Sequence, residues 1–306
     1  MANTENSLLV EKYRPKTLNN YVGNENIKKS ISAYLNQNDI QNFIFYGPAG
    51  TGKTTLAKII VNSLDCDHLY INASDERGIE TIRDKVSSFA SVASFKPLKV
   101  VILDEADFLT IQAQASLRNI IETFSRTTRF IMTCNFVERI IDPLQSRCQV
   151  LKIVPPTKKD VAKHLNWICN EELITHKIND LVPLVNQYYP DLRKCINTIQ
   201  LSTQDKTLKL DQSILVSSNY IDKVITELSK GNKVSSFNTI RQIIADANTD
   251  DFDELFRALY DRSSEYYKDK EGTAVLTINE HQYKANFRID KEINIMSLIQ
   301  TLIKYK

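Results

Sequence analysis

The chain is poor in glycine, with 7 in 306 residues, and it holds only 3 methionines and 1 tryptophan. So few glycines exclude a collagen-like or glycine-rich low-complexity chain, and they make any local cluster of glycine informative. Cysteine is scarce as well. Cys66, Cys134, Cys148, Cys169 and Cys195 are scattered, odd in number and without metal-ligand spacing. That pattern argues against a zinc site or a disulfide framework and for reduced thiols. Neither sign of charge dominates, since 39 Lys+Arg against 37 Asp+Glu leave a net charge of +2. That balance neither demands nor excludes nucleic acid, and any nucleic-acid contact must be local and geometric. The opening Met1–Asn6 is polar and lacks an apolar signal core. No run approaches the roughly 20 apolar residues of a membrane span. These absences predict a soluble cytoplasmic protein with no membrane partner, long enough for two or three domains.

What is present is concentrated. Three of the seven glycines (Gly47, Gly50 and Gly52) fall within six residues, in the run Gly47–Thr55 that reads GPAGTGKTT. Asn42–Tyr46 before it reads as a short buried strand, and Thr54–Ile60 after it has helical apolar spacing. Strand, glycine loop and helix in that order make a phosphate-binding loop. Backbone N–H groups turn inward around phosphate oxygens, and the helix N-terminus adds partial positive charge. Lys53 neutralises the β- and γ-phosphates, and Thr54 offers a hydroxyl to Mg²⁺. The chain is expected to bind a nucleoside triphosphate.

Residues 1–154 alternate short β-branched runs with helical patterns, as an α/β doubly wound parallel sheet flanked by helices does. The predicted strands are Asn42–Tyr46, His68–Asn72, Lys99–Leu103, Arg129–Cys134 and Gln149–Ile153. The third and fourth are nearly all apolar, which suits central strands covered on both faces. Pro155–Pro156 breaks the pattern and marks a domain boundary. A helical lid is expected over 155–215, with Thr157 capping a helix that carries Val161, Leu165 and Ile168 on one face. Pro190 fits the first turn of a second lid helix bearing Leu192, Ile196 and Ile199. From 216 to 306 every segment reads as helix: Ile221–Leu228 ending at Gly231, Val234–Ala247, Asp253–Tyr267, and a last pattern over 273–304.

Val100–Asp107, reading VVILDEAD, is an apolar strand that ends in carboxylates. In a parallel sheet its C-terminal end lies beside the phosphate loop. Asp104 can there hold Mg²⁺, and Glu105 can orient and polarise an attacking water. Asn135, ending the next strand, reads either as a sensor between γ-phosphate and water or as a turn-capping asparagine. Arg147, after the turn Pro143–Gln145, cannot easily face its own phosphate site across the sheet. It reads either as an arginine finger offered to a neighbouring subunit or as a surface arginine in a salt bridge.

Taken together these segments resemble the AAA+ ATPases, and within them the small subunits of sliding-clamp loaders of the replication factor C kind. The likeness is carried by VEKYRP (Val10–Pro15), GPAGTGKTT, NASDERG (Asn72–Gly78), LDEAD (Leu103–Asp107), TCN (Thr133–Asn135), LQSRC (Leu144–Cys148) and PDLRK (Pro190–Lys194). It covers residues 10 to about 194, and NASDERG with SRC is far more specific than the phosphate loop. FASVASF (Phe89–Phe95), the Tyr189-Pro190-Asp191 lead-in to the lid arginine and the chain length further resemble the ATPase subunit of tailed-phage clamp loaders.

The resemblance implies that Val10, Glu11, Lys12, Tyr13 and Val22 line an adenine pocket, that Gly47, Gly50, Thr51, Gly52, Lys53, Thr54 and Thr55 bind the phosphates, and that Arg193 is the lid arginine. It implies Arg147 as the finger acting in trans, and Gln112 and Arg118 as residues coupling neighbouring subunits. It implies ATP with Mg²⁺ (on Thr54 and Asp104), a sliding clamp, primer–template DNA and other loader subunits, four ATPase copies with one different subunit. The helix from Gly78 would grip DNA phosphates through Arg77, Ile82, Arg83 and Lys85, the alternative being an ordinary solvated helix. Phe89 and Phe95 either dock the clamp or pack under the strand at 99–103. The zinc-binding cysteine cluster of bacterial loader motors is missing, because the interval from the loop to DEAD holds only Cys66. Rival readings are another DNA-dependent AAA+ motor, such as a helicase loader or branch-migration ATPase, and a non-catalytic scaffold subunit. The second would carry a degraded site.

Overall fold

Five strands form one parallel sheet in the order β2-β3-β4-β1-β5 in this computed structural model. They are β1 (Phe43–Tyr46), β2 (Cys66–Asn72), β3 (Leu98–Asp104), β4 (Thr128–Cys134) and β5 (Gln149–Lys152). Each lies within two residues of the run predicted from sequence. The structure describes residues 8–210, 220–230, 233–247, 252–267, 270–285, 287–288 and 290–305. The polar opening, Gly231 and the boundary expected at 216 fall outside those residues.

Side-chain alternation sorts the sheet into two cores. Phe43, Phe45, Val100, Ile102 and Ile131 face one side, where they meet Ile31 of α2 (Glu25–Asn36) and Leu56, Ile59 and Ile60 of α3 (Lys53–Ser63). Ile44, Val101, Leu103, Phe130 and Met132 face the other, against Ala113, Leu117 and Ile120 of a long helix over Ile111–Thr123. Period-two strands covered on both faces must read as continuous apolar runs, which is why β3 and β4 were legible. Each such Val, Leu or Ile contributes about 1.5–3 kcal/mol by leaving water. Lys99 is the exception in β3. It is buried, and its ammonium donates to the carbonyls of Phe89 at 2.6 Å, of Ala90 at 3.4 Å and of Val92.

The helix expected at Gly78 runs as α4 (Ile79–Thr81), a π-helical turn (Ile82–Val86) and α5 (Ser87–Ser91). The helix over Ile111–Thr123 is α6, and α7 is Asp142–Gln145. Beyond the double proline, Thr157 caps α8 (Lys158–Glu171) by accepting the Asp160 N–H, and Val161, Leu165 and Ile168 are buried as expected. The next helices are α9 (Ile178–Tyr188) and α10 (Leu192–Ser202). Pro190 lies outside α10, contrary to its expected place in the first turn. Asp191 stands between them as the cap, its carboxylate accepting the Lys194 N–H at 3.1 Å. Two very short strands, Thr203–Gln204 and Thr207–Leu208, interrupt the otherwise helical text.

The chain divides into two compact units, one drawn from residues 1–178 and 188–206, the other from 179–187 and 207–306. In the second, α11 (Tyr220–Ser229), α12 (Lys233–Ala247), α13 (Asp253–Asp261), α14 (Ser263–Tyr266), α15 (Glu271–Ala285) and α16 (Lys291–Tyr305) share one apolar core. Val224, Ile225, Ile240, Leu255, Leu259, Ile295, Leu298 and Ile299 form its fully buried part, and the C-terminal region is helical as predicted. The pattern expected as one element over 273–304 is two helices, α15 and α16. Apolar spacing continues across their junction, so periodicity alone did not expose the break.

Candidate nucleotide site

The loop between β1 and α3 closes against its surroundings so tightly that side chains are excluded. Gly47 has φ +149°, and a Cβ there would come within 2.4 Å of the Ile153 carbonyl oxygen. Gly50 has φ +75°, a left-handed conformation, and its Cβ would meet Asp191. Gly52 precedes α3 as its cap, and the Tyr21 hydroxyl donates to the neighbouring Thr51 carbonyl at 3.2 Å. Lys53 is buried at the first position of α3. Its Nζ donates to Gly47 O, Pro48 O and Asn135 Oδ1, each at 2.8 Å. Burial lowers the Lys53 pKa, opposed by Cys134, Asp107, Asp104 and Glu105.

Asp104 ends β3 beside this loop, as the parallel topology requires. Its carboxylate accepts from Thr54 Oγ1 at 2.7 Å, from Tyr70 Oη at 2.7 Å and from Thr133 Oγ1. Three hydroxyl donors fix its orientation, and burial together with Asp104 raises the Tyr70 phenol pKa. Glu105 is exposed, with φ +55°, a conformation few residues without a glycine's freedom adopt. Its N–H donates to Thr133 Oγ1 at 3.1 Å, and the residue lines the cavity. Asp107 accepts the N–H groups of Asn135 at 3.2 Å and Phe136 at 3.3 Å, and so holds the loop that presents Asn135.

One cavity joins these groups. Thr51, Gly52, Lys53, Thr54, Thr55, Asp104, Glu105, Asn135 and Arg193 line it, together with Val10, Tyr13, Tyr21 and Val22. Gly50 lines it too, and Gly47 reaches the site through its carbonyl bond to Lys53. Glu11 and Lys12 do not line it, contrary to their expected place. On the one-turn helix α1 (Leu9–Lys12) they point elsewhere, Glu11 pairing with Arg14 at 2.6 Å and Lys12 with Glu172 at 2.6 Å. Thr54 and Asp104 supply adjacent hard oxygen donors, a set that fits Mg²⁺.

Arg147 is outside the cavity. It precedes β5, whose Gln149 sits opposite Phe43 at the start of β1, whereas the phosphate loop follows the end of β1. Four strand residues separate those ends by roughly 13 Å. There Arg147 Nε donates to Glu122 at 2.7 Å and Nη1 to the Pro143 carbonyl at 2.7 Å.

Arg77, just before α4, and Arg83 and Lys85 of the π-helical turn are exposed, Lys85 paired with Glu76 at 2.7 Å. Ile82 is not available to DNA, because its side chain is wholly buried in the core with Val86. Gln112 is exposed on α6, and Arg118 is half-buried beside Asn119. Of the two phenylalanines, Phe89 packs against the core while Phe95 is fully exposed. Burial pushes the Cys134, Cys148 and Cys195 thiols up to about 12, and the five cysteines are unpaired. Among the described residues no His, Cys, Asp and Glu group has metal-binding geometry, and no helix is long and apolar enough to cross a membrane.

Sequence reasoning missed Tyr70, Thr133, Asp107, Glu172 and Gln114, the last bonding Leu109 O at 3.2 Å, Arg139 O at 3.0 Å and the Ile141 N–H at 2.9 Å. Thr133 and Asp107 lay inside quoted motifs. Tyr70 carried no signal beyond its place on a strand.

Residues 43–156 match the model of the ATPase family associated with various cellular activities. The chain is 36% identical to the replication factor C small subunit of Haloarcula marismortui, covering 95% of this chain and 94% of that one. It is 33% identical to that of Sulfurisphaera tokodaii, over 100% and 98% of the two chains. Among solved structures, the Thermotoga maritima RuvB Holliday junction branch migration motor aligns with a TM-score of 0.56 at 18% identity, over 78% of this chain and 86% of that one, a likeness of fold. With the phosphate loop, the Asp104–Glu105 pair and Asn135 gathered at one end of a parallel sheet, and relatives matching nearly end to end, this chain is an ATPase that belongs to the replication factor C small subunit family.

Proposed function

We propose that the chain is the ATP-hydrolysing subunit of a loader that opens a DNA sliding clamp and places it on primer–template DNA. The observation that carries this is the split of polar groups: Lys53, Glu105, Asn135 and Arg193 border one cavity, while Arg147 sits half-buried at the opposite end of the sheet. A site complete except for a finger, on a chain offering that finger elsewhere, calls for neighbours in a ring or spiral. We assign four copies of this chain with one different subunit, joined through the helical region from 216 onward and coupled through Gln112 and Arg118.

In this reading Lys53 and the loop amides hold the triphosphate, and Val10, Tyr13 and Val22 hold adenine. Thr54 and Asp104 would hold Mg²⁺, which when bound neutralises phosphate charge. Glu105 orients and polarises the attacking water, and Asn135 positions it against the γ-phosphate. Arg193 reports the γ-phosphate to the lid over 155–215, and the neighbour's Arg147 stabilises charge as the bond breaks. Arg77, Arg83 and Lys85 track the DNA backbone without reading bases. Phe95, with Val92 beside it, is apolar surface suited to a clamp pocket. The assembly works in the cytoplasm.

The test is steady-state ATP hydrolysis by the purified chain with candidate clamp and partner subunit, with and without primer–template DNA. Stimulation that needs both clamp and DNA is expected. Stimulation by DNA alone, indifferent to any clamp, would replace this reading with another DNA-dependent motor.

A further inference from the structure

The base end of the nucleotide cavity is assembled from two pieces of chain far apart in sequence. Val10, Tyr13 and Arg14 come from the N-terminal strap, and His164, Leu192 and Ile196 come from α8 and α10. One carboxylate ties them together. Glu172, which ends α8, accepts from Tyr13 Oη at 2.6 Å and from Lys12 Nζ at 2.6 Å, both on the same oxygen. A second tie lies beside it, where the Leu9 N–H donates to Gln200 Oε1 of α10 at 2.9 Å. The Tyr13 ring also stands edge-on to Trp167 of α8, with centroids 5.3 Å apart. Burial and Glu172 keep the Tyr13 phenol protonated, as a donor must be. Against the upward push of burial, the bonds from Lys12 and Tyr13 hold the Glu172 carboxyl below its ordinary range.

We propose that Glu172 is a positioning residue for the nucleoside: by locking Tyr13 to the lid helices it forms the base pocket, so that the base, and not the triphosphate, depends on it. The inference rests on the nucleotide reading of the cavity given above. Glu172 lies outside the phosphate loop, and Tyr13, which it holds, lines the cavity. Loss of the latch lets strap and lid separate at the base end. The phosphate loop and Asp104, held by β1, β3 and α3, keep their places, and Arg193 stays beside the loop because Asp191 packs on Gly50.

The experiment compares two Mg²⁺-loaded ligands on the full chain, ATP and inorganic tripolyphosphate, with Glu172→Ala, Glu172→Gln and Tyr13→Phe. Glu172→Ala and Tyr13→Phe are expected to weaken ATP about tenfold, the scale of one lost charge-assisted hydrogen bond. Glu172→Gln, which still accepts from Tyr13, should weaken it less. Tripolyphosphate affinity should stay within about twofold in all three. Trp167, the sole tryptophan, gives a readout independent of turnover. Its emission should change when ATP binds the unmodified chain, and change less in Glu172→Ala. Equal weakening of both ligands would mean a general structural role and overturn the proposal, as would unchanged ATP affinity. If the unmodified chain bound neither ligand, the nucleotide reading itself would fall.

Discussion

Replacing Gly50 by alanine should uncouple α10 from the phosphate loop. The added Cβ would stand 2.2 Å from Asp191 Oδ1, 2.6 Å from its Cγ and 3.0 Å from its Cα. A new rotamer could clear the carboxylate, but it cannot clear the backbone atom, so the chain leading into α10 must shift. Asp191 is the α10 cap, and losing the bond to the Lys194 N–H costs about 1 kcal/mol. Holding alanine in the left-handed region costs about 1–2 kcal/mol more. The sum of about 2–3 kcal/mol should lower the melting temperature by roughly 4–12 °C in a unit of this size. Arg193 lies two residues beyond Asp191 and moves with it, so ATP affinity should fall as well. Thermal melts and ATP titration of Gly50→Ala, Asp191→Ala and the double variant check the reasoning. Because the cap is already displaced in Gly50→Ala, Asp191→Ala should add little there, a coupling of about 1 kcal/mol. Additive costs, or an unchanged melting temperature for Gly50→Ala, would refute it.

Arg147→Ala should cut hydrolysis in the assembled complex at least about a thousandfold while leaving ATP affinity within twofold. Its exposed pair with Glu122 should leave stability of the isolated chain within about 0.5 kcal/mol. Parallel loss of binding and turnover would place the residue in cis. Lys99→Met strips donors from the Phe89, Ala90 and Val92 carbonyls and should destabilise the fold by about 2–3 kcal/mol, with faster amide exchange over 89–95. Unaltered exchange there would show that the lysine does not hold the segment. Burial lowers the His164 pKa, so between that value and about 6.5 the unfolded chain binds a proton the folded chain does not. Stability should therefore fall as pH drops below about 6.5 and be insensitive to this group above it. Melts from pH 5.5 to 7.5 should show a shallower slope for His164→Asn, and identical slopes would contradict the assignment.

Much of the fold was legible because its determinants are local. Apolar runs bounded by turn residues located all five strands, and Thr157 announced α8 by cap chemistry alone. Where local signals were ambiguous, errors followed. Pro190 suits a first turn, yet Asp191 has the better capping oxygen and took that place. Ile82 sits among basic residues in sequence, yet helical geometry turns it inward while Arg83 and Lys85 turn out. Glu11 and Lys12 belong to a motif whose neighbours face the cavity, but on one helical turn four residues cannot share a face.

By itself the sequence determined the chemistry on offer: a glycine loop ending in Lys53 and Thr54, a carboxylate pair after a buried strand, and an arginine beyond the reach of both. These follow from residue type and short spacing, which act within a few bonds. Only the tertiary structure decided which distant groups complete the site. Tyr70 and Thr133 reach Asp104 because β2 and β4 flank β3, and Asp191 confronts Gly50 across 141 residues of chain. Glu172 reaches Tyr13 across 159. Such meetings depend on strand order and helix placement, which arise from packing the whole core and leave no mark at either residue.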